Sequence, residues 1–456
     1  MRSFMIAAPS SGSGKTAVTC GLLELLAEEG YDPCSFKCGP DYIDPMFHRS
    51  VLGIPSCNLD LFLAPREIVR ENFRRYSAGH GAALVEGVMG LYDGAGGTTT
   101  EAGSWHLADT LDLPVILVVR PKGMSLTLAA QIRGLLSFRE NSHIAGILLN
   151  DCSSMYFHSL REMLERETGV PVLGYLPHMA EAAFPSRHLG LITAGEIEDL
   201  RERIRRIASV MRKTVDLDRL MELACVRQEE ASAPEPRPCE TVRIAFAQDR
   251  AFCFLYEETL DRLRDLGAEL VPFSPIEDSG LPADVHGLYL PGGYPELFAR
   301  ELSGNRSMRR AVREAVKGGM PAVAECGGFL YLGGTLENEE GRVFEMAGAL
   351  PGNGIRRDHL VRFGYGMARA KADSMLLRAG EIVPVHEFHY WDSTANGDCL
   401  SVTKPVSGRS WEAAFTTETL YAGFPHLYLA GKPEAAARFV AAARFVAAAG
   451  KQAKGE

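Results

Sequence analysis

The stretch Ala7-Ala8-Pro9-Ser10-Ser11-Gly12-Ser13-Gly14-Lys15-Thr16 decides how the first half of the chain is read. Just before it, Phe4 to Ala7 is a short apolar run that predicts a buried strand. Just after it, Ala17 to Glu29 carries Val18, Leu22, Leu25 and Leu26 at helical spacing. Strand, small-residue loop, Gly-Lys-Thr and helix together predict a phosphate-binding loop. In such a loop the backbone N–H groups and the helix N-terminus cradle phosphates, the lysine reaches the outer phosphates and the threonine hydroxyl faces Mg2+. Gly12, Ser13, Gly14, Lys15 and Thr16 are therefore expected to bind ATP or GTP. Pro9 stands where the first glycine of G-x-x-x-x-G-K-[ST] is usual.

Working outward, Cys34 to Lys37 predicts a second strand. It opens into Cys38-Gly39-Pro40-Asp41-Tyr42-Ile43-Asp44-Pro45, a turn-forming loop with two carboxylates. A loop leaving a parallel strand lies at the edge where open α/β sheets bind ligands. Lys37, Asp41, Tyr42 and Asp44 are candidates there. Ala82 to Gly87 is a third strand that ends in Glu86. An acid at that place, beside a phosphate loop, offers the hard oxygen that Mg2+ takes, so Glu86 is a metal candidate. Asp93 would face metal or substrate. Val115–Val119, Ile144–Asn150 and Val170–Leu176 add apolar strands, with helices expected over 126–138, 156–167 and 194–213. This alternation predicts a doubly wound parallel sheet. Asn150 is placed either to read a nucleotide base or to fill a turn. Arg187 and His188 would meet an anion or cap a loop.

Bulk properties narrow the class. The 456 residues carry a net charge of −10, which gives no electrostatic support for coating nucleic acid. Ten cysteines occur without a C-x-x-C pair, so a reduced, cytoplasmic protein without a zinc site is expected. No apolar run approaches the ~18 residues of a membrane span. Three prolines among charges at 227–240 predict a linker between domains 1–226 and 241–456.

The second half restarts as α/β. Strands are predicted at Val242–Ala247, Glu269–Phe273 and Gly287–Leu290, the last running into Pro291-Gly292-Gly293-Tyr294-Pro295-Glu296. Pro321 to Glu325 then delivers Cys326 into Gly327-Gly328 and a helix. A cysteine on such a strand-to-helix elbow is exposed to substrate, and the helix N-terminus favours its thiolate. Gly292 and Gly293 could lend N–H groups to an oxyanion hole. His386, His389 and His426 are the candidate bases, and the spacing does not choose among them. The tail repeats Arg438-Phe439-Val440-Ala441-Ala442-Ala443 as Arg444-Phe445-Val446-Ala447-Ala448-Ala449, which predicts one alanine-rich helix.

A nucleotide-binding half followed by a cysteine elbow and a late histidine resembles a glutamine-dependent amidotransferase. Ser10 to Thr16, Phe36 to Pro45, Glu86 to Gly94, Pro291 to Glu296, Glu325 to Gly328 and His386 to Tyr390 resemble the cobyrinate a,c-diamide synthase family. That resemblance implies a dethiobiotin-synthetase-like P-loop ATP domain and a flavodoxin-like class I glutamine amidotransferase domain, both doubly wound α/β. It implies Cys326 as nucleophile and His426 as base. Asp41, Tyr42, Asp44, Glu86 and Asp93 would serve the phosphoryl site and Mg2+, with Thr16, Glu86 and Asp41 as the metal set. ATP and glutamine would be co-substrates, a corrinoid the acceptor, and two acetates would be amidated through acyl phosphates. A homodimer is compatible with it. The His-x-Glu usual in class I amidotransferases is His426-Leu427-Tyr428 here, so no carboxylate follows the base. Val385 and Trp391 stand where Gly and Ser are usual. Because the macrocycle is polyanionic, Lys37, Arg49, Arg356 and Arg357 are expected to line its site. A nickel-sirohydrochlorin a,c-diamide synthase would share every motif, and a nucleotide-gated binding module is the alternative outside enzymes.

Overall fold

The computed structural model describes residues 1–180, 194–226 and 241–454. Arg187, His188 and the expected linker 227–240 lie outside them. The chain divides into two compact units, Met1–Ser232 and Ala233–Glu456.

In the first unit seven strands form a parallel sheet: β1 (Arg2–Ala7), β2 (Pro33–Cys38), β3 (Ser56–Leu59), β4 (Ala82–Glu86), β5 (Val115–Val119), β6 (Ile144–Asn150) and β7 (Val172–Leu176). Their order is β3-β2-β4-β1-β5-β6-β7, and a two-residue β8 (Cys225–Val226) pairs antiparallel with β1. Every residue of β2 to β5 is buried, as two covered faces require. The helix after the phosphate loop, α1 (Lys15–Glu28), is apolar nearly all round and buried along most of its length. Val18, Leu22 and Leu26 share one core with Phe4 and Ile6 of β1 and with Ile204, Ile207 and Met211 of the helix Ala194–Thr214. Gly21 permits the approach, since a Cβ there would lie 2.6 Å from both Ile207 Cγ2 and Met211 Sδ. The sheet thus brings the carboxyl ends of β1, β2 and β4 side by side, with Lys37 and Ile6 both in register with Glu86.

The second unit has a six-stranded sheet in the order Ala268–Phe273, Val242–Ala247, Gly287–Leu290, Ala322–Glu325, Leu420–Gly423, Phe415–Thr416. The first five are parallel and the last is antiparallel. Between Leu332 and Leu420 lie strands of two further sheets that the sequence reading did not assign. One is four-stranded and mixed; the other is antiparallel, with Arg362–Ala370 and Ile382–His389 as its longest pair. The second unit is therefore a parallel core with antiparallel additions rather than a plain doubly wound domain.

The tail forms a single helix, Pro433–Lys454. Six residues rotate an α-helix by roughly 600°, or 240° net, so the two copies of the repeat face different ways. Phe439 is wholly buried, whereas Phe445 is 78% exposed. The helix is pinned through Glu381. Its Oε2 accepts from Arg438 at 2.8 Å and from the Arg378 amide at 2.9 Å, and its Oε1 lies 3.0 Å from Lys432. Partial burial opposes ionisation, but these three donors outweigh it and hold the carboxyl at about 2.

A carboxyl with a lowered folded-state pKa stabilises above its unfolded value and loses that effect as pH falls through the folded one. Glu381→Gln is accordingly expected to lower Tm by a few degrees at pH 6. That gap should close as pH falls from about 4.5 to about 2. Thermal scans of both proteins across this range provide the measurement.

Candidate active site

Gly14 caps α1 in the left-handed region, at φ 94, where glycine is least strained. A Cβ there would lie 2.0 Å from Asn150 Nδ2, which donates to the Ser13 carbonyl at 2.9 Å. Asn150 thus braces the phosphate loop from β6. Ser13 Oγ donates to the Ser10 carbonyl at 2.9 Å and closes the loop on itself. Beside Pro9 to Ser13 opens a cavity of about 280 Å3, walled on its far side by Arg120, Lys122 and Met124. Arg120 ion-pairs with Asp151, which also accepts from His178 at 2.8 Å.

Four of the residues expected from the sequence meet at the inner end of the loop. Thr16 Oγ1 donates to Glu86 Oε1 at 2.8 Å, and Lys37 Nζ donates to the same oxygen at 3.0 Å. Lys37 also ion-pairs with Asp44. All are buried or nearly so, and burial sets the electrostatics. It raises the Glu86 carboxyl, with Asp44 adding and Lys37 opposing. Burial works against the Lys37 ammonium, but Asp44 and then Glu86 hold its pKa high. Burial and the Lys37 cation lower Lys15 to about 8. Lys15 Nζ donates to the Met89 carbonyl at 2.5 Å, which ties the phosphate loop to the segment after β4. Asp93 braces that segment, accepting from the Gly90 amide at 3.0 Å.

Asp41 turns inward on its own loop, its Oδ1 accepting from the Ile43 amide at 2.8 Å. Tyr42 is buried beside it. The sequence reading missed His48, which packs behind Glu86. Its Nδ1 lies 3.0 Å from Ser35 Oγ, and its Nε2 lies 3.9 Å from Glu86 Oε2. Burial lowers its pKa to about 4. A lone histidine after Phe47 gives no periodic or motif signal.

The four basic residues expected to line a macrocycle site each have a neighbour within their own unit. Lys37 is buried between two carboxylates, and Arg49 donates to the Ser56 carbonyl at 2.6 Å. In the second unit Arg356 donates to the Glu339 carbonyl of that same unit, and Arg357 lies 3.8 Å from Asp392.

Among the described residues, no group of three or more His, Cys, Asp or Glu side chains could hold a metal. Mg2+ does not need one, because it is commonly bound by one or two carboxylates, water and substrate phosphates. Glu86 Oε2 is buried with no hydrogen-bond partner, and Thr16 stands on the other oxygen. Glu86 and Thr16 fit such an ion; the Asp41 Oδ1 engaged by backbone amides fits it less well.

In the second unit Cys326 sits at φ 48, ψ −101, a strained conformation for a residue with a Cβ. The turn is fixed from both neighbouring strands. The Cys326 amide donates to the Gly423 carbonyl at 2.8 Å and the Gly328 amide to the Pro291 carbonyl at 3.0 Å. Close packing requires the glycines: a Cβ on Gly328 would lie 2.1 Å from the Leu290 oxygen, and one on Gly327 3.0 Å from the Gly293 nitrogen. The Gly293 nitrogen therefore lies against the elbow. His426 reaches the same place from the strand His426–Leu427, since a Cβ on Gly292 would lie 2.6 Å from its Cε1.

The other two histidines are disposed differently. His389 is committed to the Trp391 carbonyl at 2.6 Å and to Glu387 at 3.0 Å, and it stacks on Phe424. Trp391 in turn donates through its indole to the Glu337 carbonyl at 2.6 Å. His386 is the strand partner of His426. Burial raises the Cys326 thiol, and the Glu296 and Glu387 carboxylates add to it. Burial, then His386 and His389, lower His426 to about 3. Both shifts favour the neutral form, thiol and imidazole alike.

Residues 4–192 match a model described as the CobQ/CobB/MinD/ParA nucleotide binding domain, and 243–432 one described as the CobB/CobQ-like glutamine amidotransferase domain. A cobyrinate a,c-diamide synthase of Caldanaerobacter subterraneus subsp. tengcongensis is 38% identical over 96% of this chain and 98% of its own length. The chain belongs to the cobyrinate a,c-diamide synthase family. Relatives of the same name from Salmonella typhimurium (38% identical, 96% of this chain, 97% of its own) and Listeria innocua serovar 6a (36%, 95% and 97%) are similar along both units. Family membership makes the chain an enzyme, a ligase with a nucleotide-binding unit and a glutamine amidotransferase unit. No helix among the described residues is long and apolar enough to cross a membrane.

Removing one partner of a buried pair leaves an uncompensated charge, at about 3–5 kcal/mol. Lys37→Met should cost a loss of this order, read as a lower urea midpoint at unchanged slope. Gly14→Ala forces a side chain into the left-handed region against Asn150. Nucleotide affinity should fall roughly tenfold or more in calorimetric titration, with glutamine hydrolysis retained.

Proposed function

We propose that this chain amidates the a and c acetate side chains of cobyrinic acid, using ATP and glutamine. The observation that carries the reading is the cluster of Thr16, Lys37, Asp44 and Glu86 at the inner end of the phosphate loop. It joins a phosphate cradle to a fixed set of charges, in a chain similar throughout to proteins named for this reaction.

Residues 1–226 activate the acid and 241–456 supply ammonia, with 227–240 as the link. In the first unit the loop amides and Lys15 hold the phosphates of ATP. An acetate oxygen attacks the γ-phosphorus and the bond to the ADP oxygen breaks, giving an acyl phosphate. Mg2+, held by Glu86 and Thr16, would offset negative charge on the phosphates. Lys37 keeps Glu86 and Asp44 in place. Ammonia then attacks the acyl carbon, and phosphate leaves with the bonding pair. In the second unit the Cys326 sulfur attacks the glutamine carboxamide while His426 takes the thiol proton. The oxyanion forms against the Gly292–Gly293 backbone. His426 returns the proton to the leaving nitrogen, ammonia departs, and water hydrolyses the thioester to glutamate.

The test is ATP-dependent amide formation on cobyrinic acid, with glutamine or ammonium as donor. Wild type should use both, whereas Cys326→Ser should lose at least 100-fold with glutamine and keep the ammonium reaction. Turnover of nickel-sirohydrochlorin in place of the corrinoid would replace the proposed substrate. Equal glutamine use by both proteins would remove Cys326 from the mechanism.

A further inference from the structure

Glutamine hydrolysis through Cys326 and His426, the reading given above, needs one imidazole nitrogen to accept the thiol proton. The other must then carry a hydrogen, and a fixed acceptor facing it selects that tautomer. Two residues after His426 the chain offers no acid. Tyr428 is buried there, its ring edge-on to Tyr256 at 5.1 Å between centroids.

The carboxylate comes from another strand. Glu325, the residue before the nucleophile, is 1% exposed. Its Oε1 accepts from the Leu427 amide at 2.7 Å, and its Oε2 accepts from the Tyr289 hydroxyl at 3.0 Å. One of those donors belongs to the residue next to His426, so the carboxylate is clamped to the backbone that carries the base. Its Oε2 lies 3.9 Å from His426 Nδ1. The Cε1–Nε2 edge of the ring faces Gly292: a Cβ there would lie 2.6 Å from Cε1 and 3.4 Å from Nε2. Nδ1 is thus the ring nitrogen turned to Glu325, and Nε2 lies on the edge turned to the glycine loop beside the elbow. Catalytic hydrogen bonds are often long before substrate binds and tighten in the complex.

We infer that Glu325 is the positioning residue of the glutaminase, accepting the Nδ1 hydrogen of His426 so that Nε2 receives the Cys326 proton. When sulfur bonds to the carboxamide carbon, the carbonyl π pair moves to oxygen and the thiol proton moves to Nε2. The imidazolium so formed faces the Glu325 charge. It then gives the Nε2 proton to the leaving nitrogen as the carbon–nitrogen bond breaks. Glu325 itself neither gains nor loses a proton. Burial raises its carboxyl to about 7, while both donors favour the ionised form.

The decisive variant is Glu325→Gln in the full chain, which keeps an oxygen for the Leu427 amide and removes the charge. Glutaminase kcat is expected to fall roughly 100-fold or more, with KM for glutamine within about twofold. Ammonium-driven amidation and Tm, which report on folding, should stay near wild type, and Glu325→Asp should restore part of kcat. Wild-type kcat in Glu325→Gln overturns the inference. So does a loss of kcat that comes with a matching loss of Tm and of the ammonium reaction. Cys326→Ala, assayed in parallel, separates the two readings. If it still hydrolyses glutamine, the cysteine mechanism fails; if it is inactive while Glu325→Gln is unimpaired, only the role of Glu325 fails.

Discussion

Lys37 inside a pocket of carboxylates is the interaction on which the first unit depends. Its ammonium is a buried cation facing Glu86 and Asp44, and it lies on a strand whose register places it opposite Glu86. Charges held out of water at this separation repel strongly when unmatched. The position of Glu86 therefore follows from two constraints: β2 beside β4, and Lys37 between the acids. The phosphate loop inherits that order through Thr16, and Lys15 extends it to Met89. The chemistry expected of the loop rests on a buried lattice of charge as much as on the glycines that name it.

The second unit solves a different problem, which is to hold a reactive cysteine in a backbone conformation that it does not favour. Hydrogen bonds to Gly423 and Pro291 fix the turn from adjacent strands, and glycines on both sides give it room. Local strain of this kind persists only where the surroundings over-determine it. The parallel core provides that, since Ala322–Glu325 is buried between two strands.

What the sequence disclosed follows the range of the signal. The phosphate loop, its flanking strand and helix, and the cysteine elbow were legible because each is a local pattern with a fixed residue order. Glu86 was legible because an acid ending an apolar run stands out. His48 and Asn150 as a brace were not, because their roles depend on packing across strands far apart in the chain. Glu325 had a signal, an acid ending the apolar run Pro321 to Ala324 and next to the cysteine, but nothing local points it at His426. The antiparallel strands between Leu332 and Leu420 are short or alternate weakly, and long-range pairing rather than propensity defines them. The neighbours of the basic residues were hidden for a related reason: a formal charge says nothing of which group it already meets.

The closing helix turns one accident of sequence into something useful. Its two copies of the same six residues share neighbours, helix propensity and unfolded-state behaviour, yet their phenylalanines have opposite fates. Whatever separates Phe439 from Phe445 energetically is burial with every local contribution already subtracted. The tail thereby carries its own reference state, a side chain in water beside the same side chain in the core.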